Sequence, residues 1–268
     1  MVEKLGNANS RVRHIRRLGR DREYRRSEAR YIIEGPTLIL EAIDAGLDVV
    51  QVLFPESVDL HEILTVVHSA GIRSSVVSEK VFKKLATTQN PQPVIAEVAC
   101  REYKITDLCA KQGTVLLLVG VSDPGNTGTL IRSAEAFGAS GVVIVDGVDV
   151  YNPKTVRAAA GSMFRLPVVS FDDFGVIEST FSVFRENGYK LLATKPKGGI
   201  TPEQISQNQP LLVALGSESH GLSENLIADC DSVVSLPMVE GGESLNVAIA
   251  GSIFLYVLST SLTSVAIN

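Results

Sequence analysis

The sequence predicts an α/β protein in two parts, a small α/β domain over residues 1–105 and a larger parallel-sheet domain over 106–268. Three observations carry this. The second half holds six apolar, β-rich runs separated by helix-like stretches, the pattern of parallel strands covered on both faces. The first hundred residues alternate shorter strand-like and helix-like stretches of a different texture. A length of 268 residues suits two domains, and 45% hydrophobic residues can bury sizeable cores without staples.

The elements follow in order. A basic, helix-like start leads to YIIEGPTLILEAIDAG, residues 31–46, read as a strand, a turn at Gly35-Pro36 and a helix ended by Gly46. Proline at the first helical position and glycine after the last are the boundary signals. Residues 49–54 are a strand, 60–71 a helix, 72–78 a strand, 79–88 a helix and 94–100 a strand. The polar stretch 101–113 is a linker or a first helix. Strands follow at 114–121, 141–147, 167–171, 189–195, 210–217 and 232–237. The last segment, SLNVAIAGSIFLYVLSTSL over 244–262, is a buried or interface helix; its Ser, Asn, Gly and Thr content argues against a bilayer span.

Composition removes several classes. No apolar run approaches the roughly 20 residues of a membrane span, and the opening residues lack the apolar middle of a signal peptide. Cys100, Cys109 and Cys230 form no CxxC pair, and with four scattered histidines they make no metal site. The expectation is three reduced thiols in a cytoplasmic protein.

The net charge of −5 conceals an asymmetry. Nine arginines (Arg11, Arg13, Arg16, Arg17, Arg20, Arg22, Arg25, Arg26 and Arg30) face only Asp21, Glu23 and Glu28, about +6 in this stretch against about −11 elsewhere. The stretch is either a solvated helix face or a contact for a phosphate backbone, and the use of arginine without lysine favours bidentate phosphate contacts.

The segment VSDPGNTGTLIRSAEAFG, residues 121–138, puts a Gly-rich turn where an α/β sheet normally places a ligand. It is neither a phosphate loop of the GxxxxGK[ST] type, since no lysine follows Gly128, nor a GxGxxG dinucleotide fingerprint. Read structurally, the turn joins strand to helix with Asn126 or Thr127 as the N-cap. Arg132, just inside that helix, then opposes the helix dipole and requires an anionic partner or a task.

Two further stretches join it: LLVALGSESHGLS over 211–223 and SLPMVEGGESLNVAIAGSIFLYVL over 235–258. In order and spacing the three resemble the SpoU (TrmH-like) branch of the SPOUT RNA methyltransferases. Asn126, Gly128 and Arg132 match the first motif. Gly216, Glu218, Gly221 and Leu222 match the second, and Leu236, Pro237, Met238, Ser244, Leu245, Asn246 and Val247 the third. Residues 152–169 are similar to the intervening segment, and RYIIEGPTLILEAI is similar to the opening of the family's L30-like substrate-binding domain.

The resemblance implies a C-terminal SPOUT domain with a deep trefoil knot and a pocket for S-adenosylmethionine, formed by Thr194, Gly216, Leu236 and Leu245. Gly216 would let backbone approach the ligand, and the leucines would sandwich adenine; plain core packing is the other reading of the leucines. It implies methyl transfer to a ribose 2′-hydroxyl of RNA, ribosomal rather than transfer RNA, with Asn126, Arg132, Glu218, Ser244 and Asn246 as the polar site. Arg132 would hold the target phosphate and help the 2′-oxygen become an alkoxide. Glu218 would anchor Arg132 or the knot loop. Ser244 is alternatively a simple N-cap, while Asn246 would contact substrate or knot. His220 is expected to be a surface or packing residue. The GGES loop, 241–244, would order on cofactor binding. The family's dimers place the knot and last helix at the interface, so one subunit's Arg132 could complete its partner's site. Arg11, Arg13, Arg16, Arg17, Arg20, Arg25 and Arg26 would grip RNA. The rival readings are a transfer-RNA methyltransferase, a non-catalytic RNA-binding assembly factor and a nucleotide-dependent oxidoreductase.

Overall fold

A computed structural model describes residues 3–58, 61–206, 208–239 and 244–265; most of the GGES loop, 241–243, lies outside the described residues. The chain forms two compact units, one of residues 1–101 and 151–164, the other of 102–150 and 165–268.

The first unit runs β1 (Glu3–Leu5), α1 (Ser10–Leu18), α2 (Arg22–Glu28), β2 (Arg30–Glu34), α3 (Pro36–Asp44), β3 (Val49–Pro55), α4 (His61–Ser69), β4 (Arg73–Val77), α5 (Glu79–Leu85) and β5 (Ile95–Ala99). Its sheet has the order β1-β4-β3-β5-β2, with β5 antiparallel to both neighbours and the other pairs parallel. Strand side chains alternate between faces. Ile32, Leu53 and Ile95 join Val12, Ile15 and Leu18 of α1 and Phe82 and Leu85 of α5 in one core. Tyr31, Ile33, Val52 and Phe54 join Ile39 of α3 and Val67 of α4 in the other. The strand β1 was not anticipated; three residues give too short a pattern to read.

The basic start is two helices, each with its own cap. Asn9 accepts from the Arg11 backbone N–H at 2.9 Å, and Asp21 accepts from that of Tyr24 at 3.0 Å. The expected row of RNA-facing arginines divides accordingly. Arg25 is 4% exposed and donates to the Leu18 carbonyl at 2.7 Å. Arg11 donates to Gln51 at 2.7 Å and to Ser75 and Glu3 at 2.9 Å. Both brace the fold, so neither stands free for a phosphate, contrary to the expectation from charge alone. Arg16 donates to Asn7, Arg17 pairs with Asp21 and lies over the Tyr24 ring, and Arg20 donates to the Lys84 carbonyl. Arg13 and Arg26 are exposed.

The second unit begins with α6 (Ile105–Cys109), β6 (Thr114–Val119), α7 (Pro124–Ala136) and β7 (Gly141–Val145). The chain then returns to the first unit with α8 (Pro153–Ala159) and a short 3-10 turn, Ser162–Phe164. Val156 and Phe164 lie in the core beside Tyr31 and Phe54. The second unit resumes with β8 (Val168–Phe171), α9 (Ile177–Glu186), β9 (Lys190–Thr194), β10 (Leu211–Leu215), α10 (Glu224–Ala228), β11 (Ser232–Val234) and α11 (Val247–Val265).

Its six strands are all parallel, in the order β11-β9-β10-β6-β7-β8. The central strands β6, β7 and β10 are buried almost throughout, as the unbroken apolar runs predict. Val115, Leu117 and Val119 pack with Phe181 and Phe184 of α9. On α11, a Cβ added at Gly251 would fall 2.4 Å from Leu130 of α7 and 2.8 Å from Leu215, so this glycine permits close packing of the last helix. From β6 the chain progresses to β7 and β8 on one side, while β10 and β9 lie on the other. The carboxyl ends of β6 and β10 therefore flank a topological switch point, where open α/β sheets bind ligands.

Candidate active site

Beyond β6 the chain turns at Gly120, whose φ of 68° suits glycine. The helix α7 then starts earlier than the glycines suggest. Asp123 is its N-cap, accepting from the Asn126 backbone N–H at 2.8 Å, with Pro124 at the first helical position. Asn126 and Thr127 are therefore not the cap. A Cβ at Gly125 would stand 2.9 Å from the capping oxygen of Asp123, which accounts for glycine there. Arg132 is the ninth of thirteen helical residues, not a first-turn residue opposing the dipole. It is exposed and makes no hydrogen bond or ion pair among the described residues.

Three polar side chains meet where the motifs converge. Asn126 Nδ2 donates to Glu218 Oε1 at 2.6 Å, and Asn246 Nδ2 donates to Asn126 Oδ1 at 3.1 Å. Asn246 Oδ1 accepts in turn from the backbone N–H groups of Ala248 at 2.9 Å and Ile249 at 3.3 Å. Asn246 is thus the cap of α11, the task that the alternative reading gave to Ser244, and it adds the contact to Asn126. Glu218 anchors Asn126 rather than Arg132. Ser244 is exposed without a hydrogen bond among the described residues.

Beside this chain lies a cavity of about 600 Å³. Thr194, Gly216, Leu236 and Leu245 line it, as do Glu218, Ser244 and Asn246; Asn126 and Arg132 do not. The Thr194 hydroxyl donates to the Ala214 carbonyl at 2.9 Å, tying the ends of β9 and β10. At Gly216 a Cβ would lie 2.1 Å from the Gly221 carbonyl carbon and 2.3 Å from the Leu222 nitrogen. The glycine is required by the turn folding back on itself, closed by Gly221 N–H donating to the Ser217 carbonyl at 2.9 Å. Leu245 is 40% exposed at the rim, which sets aside plain core packing for it. His220 is exposed, bonded at Nδ1 to Ser219 Oγ at 2.7 Å.

The sequence reading missed Lys195 and Glu224, which line the cavity and pair at 3.3 Å. The Asp-Pro pair at 123–124 was the available signal for the true start of α7. No disulfide joins the three cysteines. Burial, then the Asp231 carboxylate, pushes the Cys230 thiol up to about 12, and burial raises Cys109, so neither is poised as a nucleophile. Among the described residues no metal-ligating cluster occurs and no helix is long and apolar enough to cross a membrane.

Both parts of the chain resemble known proteins. Residues 113–256 match the SpoU rRNA Methylase family and 9–96 match the MRM3-like substrate binding domain. The chain is 32% identical over 249 residues to the 23S rRNA (guanosine(2553)-2′-O)-methyltransferase RlmP of Bacillus subtilis, covering 92% of this chain and 95% of that protein. The SpoU methyltransferase AviRb from Streptomyces viridochromogenes, solved with AdoMet, superposes with a TM-score of 0.85 at 27% identity, covering 96% of this chain and 99% of that one. An AdoMet-bound rRNA methyltransferase from Sinorhizobium meliloti gives 0.86 at 28% identity, over 97% and 98%. With a family match over more than half its length and relatives aligned almost end to end, the chain belongs to the SpoU rRNA methylase family.

Proposed function

We propose that the protein transfers a methyl group from S-adenosylmethionine to a ribose 2′-hydroxyl of ribosomal RNA. The observation that carries this is the hydrogen-bonded chain Glu218–Asn126–Asn246 at the mouth of the cavity, which joins all three motifs of the family. The 23S rRNA specificity in the name of the Bacillus subtilis relative, and the substrate-binding match of residues 9–96, favour ribosomal RNA.

The cavity fits the cofactor. Its volume of about 600 Å³ is within the usual range for a ligand of this size, and it offers apolar leucines at 236 and 245 beside backbone at Gly216. Those residues and Thr194 would hold it, in the knotted loop arrangement that the family resemblance implies. When bound, the cofactor supplies an electrophilic methyl group on a sulfonium.

The protein's own task is to align a weak nucleophile. The Asn126 amide spends one Nδ2 hydrogen on Glu218 and one Oδ1 lone pair on Asn246, leaving one donor and one acceptor for a ribose hydroxyl. Its orientation is fixed before substrate arrives. A guanidinium offers donors and no acceptor, so Arg132 serves as a phosphate clamp and stabilises charge developing on the 2′-oxygen rather than acting as a base. Ser244, free at the cavity rim, is a further polar contact.

Arg132 stands six positions after Asn126, about 9 Å along the helix and about 240° around it, so the two leave α7 from different faces. On α11, Ile249, Ile253 and Tyr256 form an exposed apolar stripe at 53%, 38% and 54%. Both features support a dimer through α11 in which Arg132 completes the partner's site.

The test is methyl transfer from radiolabelled S-adenosylmethionine to unmodified ribosomal RNA, with Arg132→Ala in parallel. Label that survives alkali as a 2′-O-methyl dinucleotide and is lost in the variant is the expected result. Cofactor binding without transfer to any RNA or ribosomal particle would favour an assembly factor, and label on transfer RNA alone would move the substrate class.

A further inference from the structure

We propose that the first unit docks ribosomal RNA across a basic ridge made by α1 and α5, ending in the braced loop 87–92. The proposal rests on the methyltransferase reading above and names the surface that presents the substrate.

The two helices lie together over one face of the first sheet, sharing a core in which Ile15 and Leu18 meet Phe82 and Leu85. Their charge is predominantly positive. Residues 10–18 and 79–85 contain seven cations and one carboxylate, Glu79, in a chain whose net charge is −5. Glu79 is itself bonded to the Ser57 hydroxyl. Arg13, Lys80, Lys83 and Lys84 are exposed, and their side chains make no hydrogen bond or ion pair among the described residues, unlike those of Arg11 and Arg25. Compensation of helix dipoles accounts for a cation or two at each carboxyl end. It does not account for Arg13 and Lys80, which stand in earlier turns. Spaced, unpaired cations on an acidic body are the electrostatic footprint of a phosphate backbone.

The carboxyl ends of the helices converge. Arg20 donates to the Lys84 carbonyl at 3.2 Å, and a Cβ at Gly19 would touch Thr87 at 3.2 Å. There the chain enters the loop 87–92, which is held from beneath. The buried Glu34 carboxylate accepts from Thr87 N and Oγ1 at 3.3 Å, Thr88 Oγ1 at 2.8 Å and Gln92 N at 3.1 Å. Arg157 of α8 adds a bond to Thr87 Oγ1 at 2.7 Å. Four hydrogen bonds to one buried carboxylate brace a loop in which Gln89 and Asn90 are exposed. Amides on a braced loop beside a cationic track suit base edges of unpaired RNA, which a loop without such bracing would meet at greater entropic cost.

The experiment is filter binding of the full chain to 23S ribosomal RNA transcribed in vitro, over a series of salt concentrations. For the combined variant Arg13→Gln, Lys83→Gln, Lys84→Gln, the slope of log K against log salt should fall by about 2 to 3, with Kd at least about tenfold weaker. Lys111→Gln, an exposed cation of the second unit, should bind like wild type. Calorimetric binding of S-adenosylmethionine and the melting temperature should be unchanged in both. Gln89→Ala with Asn90→Ala should leave the slope intact and reduce discrimination against a scrambled RNA of equal length. A wild-type slope and affinity in the triple variant, while wild-type enzyme methylates RNA, would overturn the ridge and leave the enzyme standing. If wild type neither binds nor methylates RNA, the reading beneath fails and takes the ridge with it.

Discussion

Asn126 and Glu218, 92 residues apart, are joined by a hydrogen bond of 2.6 Å between Nδ2 and Oε1. Residues acting through one geometry lose function together. Glu218→Ala and Asn126→Ala should each lower kcat, and the double variant should be little worse than the poorer single one. Single-turnover methylation of the three variants measures the coupling; additive losses would mean that the bond does not position Asn126.

Arg132 makes no bond among the described residues and is exposed. Its removal should therefore cost activity without stability. We expect Arg132→Ala to reduce kcat on the order of 10²–10³-fold, the scale for losing one stabiliser of developing charge. The melting temperature should stay within a degree or two by the usual tolerance of exposed sites. A drop in melting temperature matching the loss of activity would assign it a structural role.

Gly216→Ala pushes a methyl into the backbone of Gly221 and Leu222, at 2.1 and 2.3 Å. Backbone cannot yield as a side-chain end can. Destabilisation of about 1–3 kcal/mol is expected from overpacking, together with loss of cofactor binding, since the turn forms one wall of the cavity. Chemical denaturation and calorimetry read the two effects.

Phe164 is 1% exposed in the core that holds Tyr31 and Phe54. Truncation to alanine should cost about 3–5 kcal/mol. Hydrogen exchange should show the loss in β2 and β3, more than a hundred positions earlier, before it shows in β6 or β10. Loss confined to the strands of the second unit would contradict the packing.

The Asp21 carboxyl is held below its usual range by the Tyr24 backbone N–H and then by Arg17. A carboxyl depressed by folding stabilises above its unfolded value of 3.8, and the contribution disappears as pH falls through the lower folded value. Asp21→Asn keeps a cap but cannot titrate. The stability gap between wild type and this variant should narrow as pH drops from about 5 to about 2, followed by thermal melts.

The strands of the second unit were legible because they are apolar runs, and the stop of α3 because a glycine stands at Gly46 with φ of 67°. The α7 start was misread because Gly125 and Gly128 look like a turn when viewed locally; the cap at Asp123 and the packing around it make them helical. The site residues were legible as motifs, but their partners were not. That Glu218 holds Asn126, and that Asn246 both caps α11 and reaches Asn126, are tertiary facts between residues about a hundred positions apart. The arginine run failed in the same way. Charge counts a guanidinium without saying that Arg25 is folded under α1.

The return of Tyr151–Phe164 to the first unit bears on how this protein can be cut and recombined. The polypeptide passes between the units three times, so no single splice separates them. A chimera joined near residue 102 would inherit a front part lacking the phenylalanine that fills its core and the arginine that steadies its loop. Exchange of such a front part between relatives, in the laboratory or in descent, must carry a second, distant fragment with it. Substrate choice and chemistry in this chain are therefore expected to be inherited together.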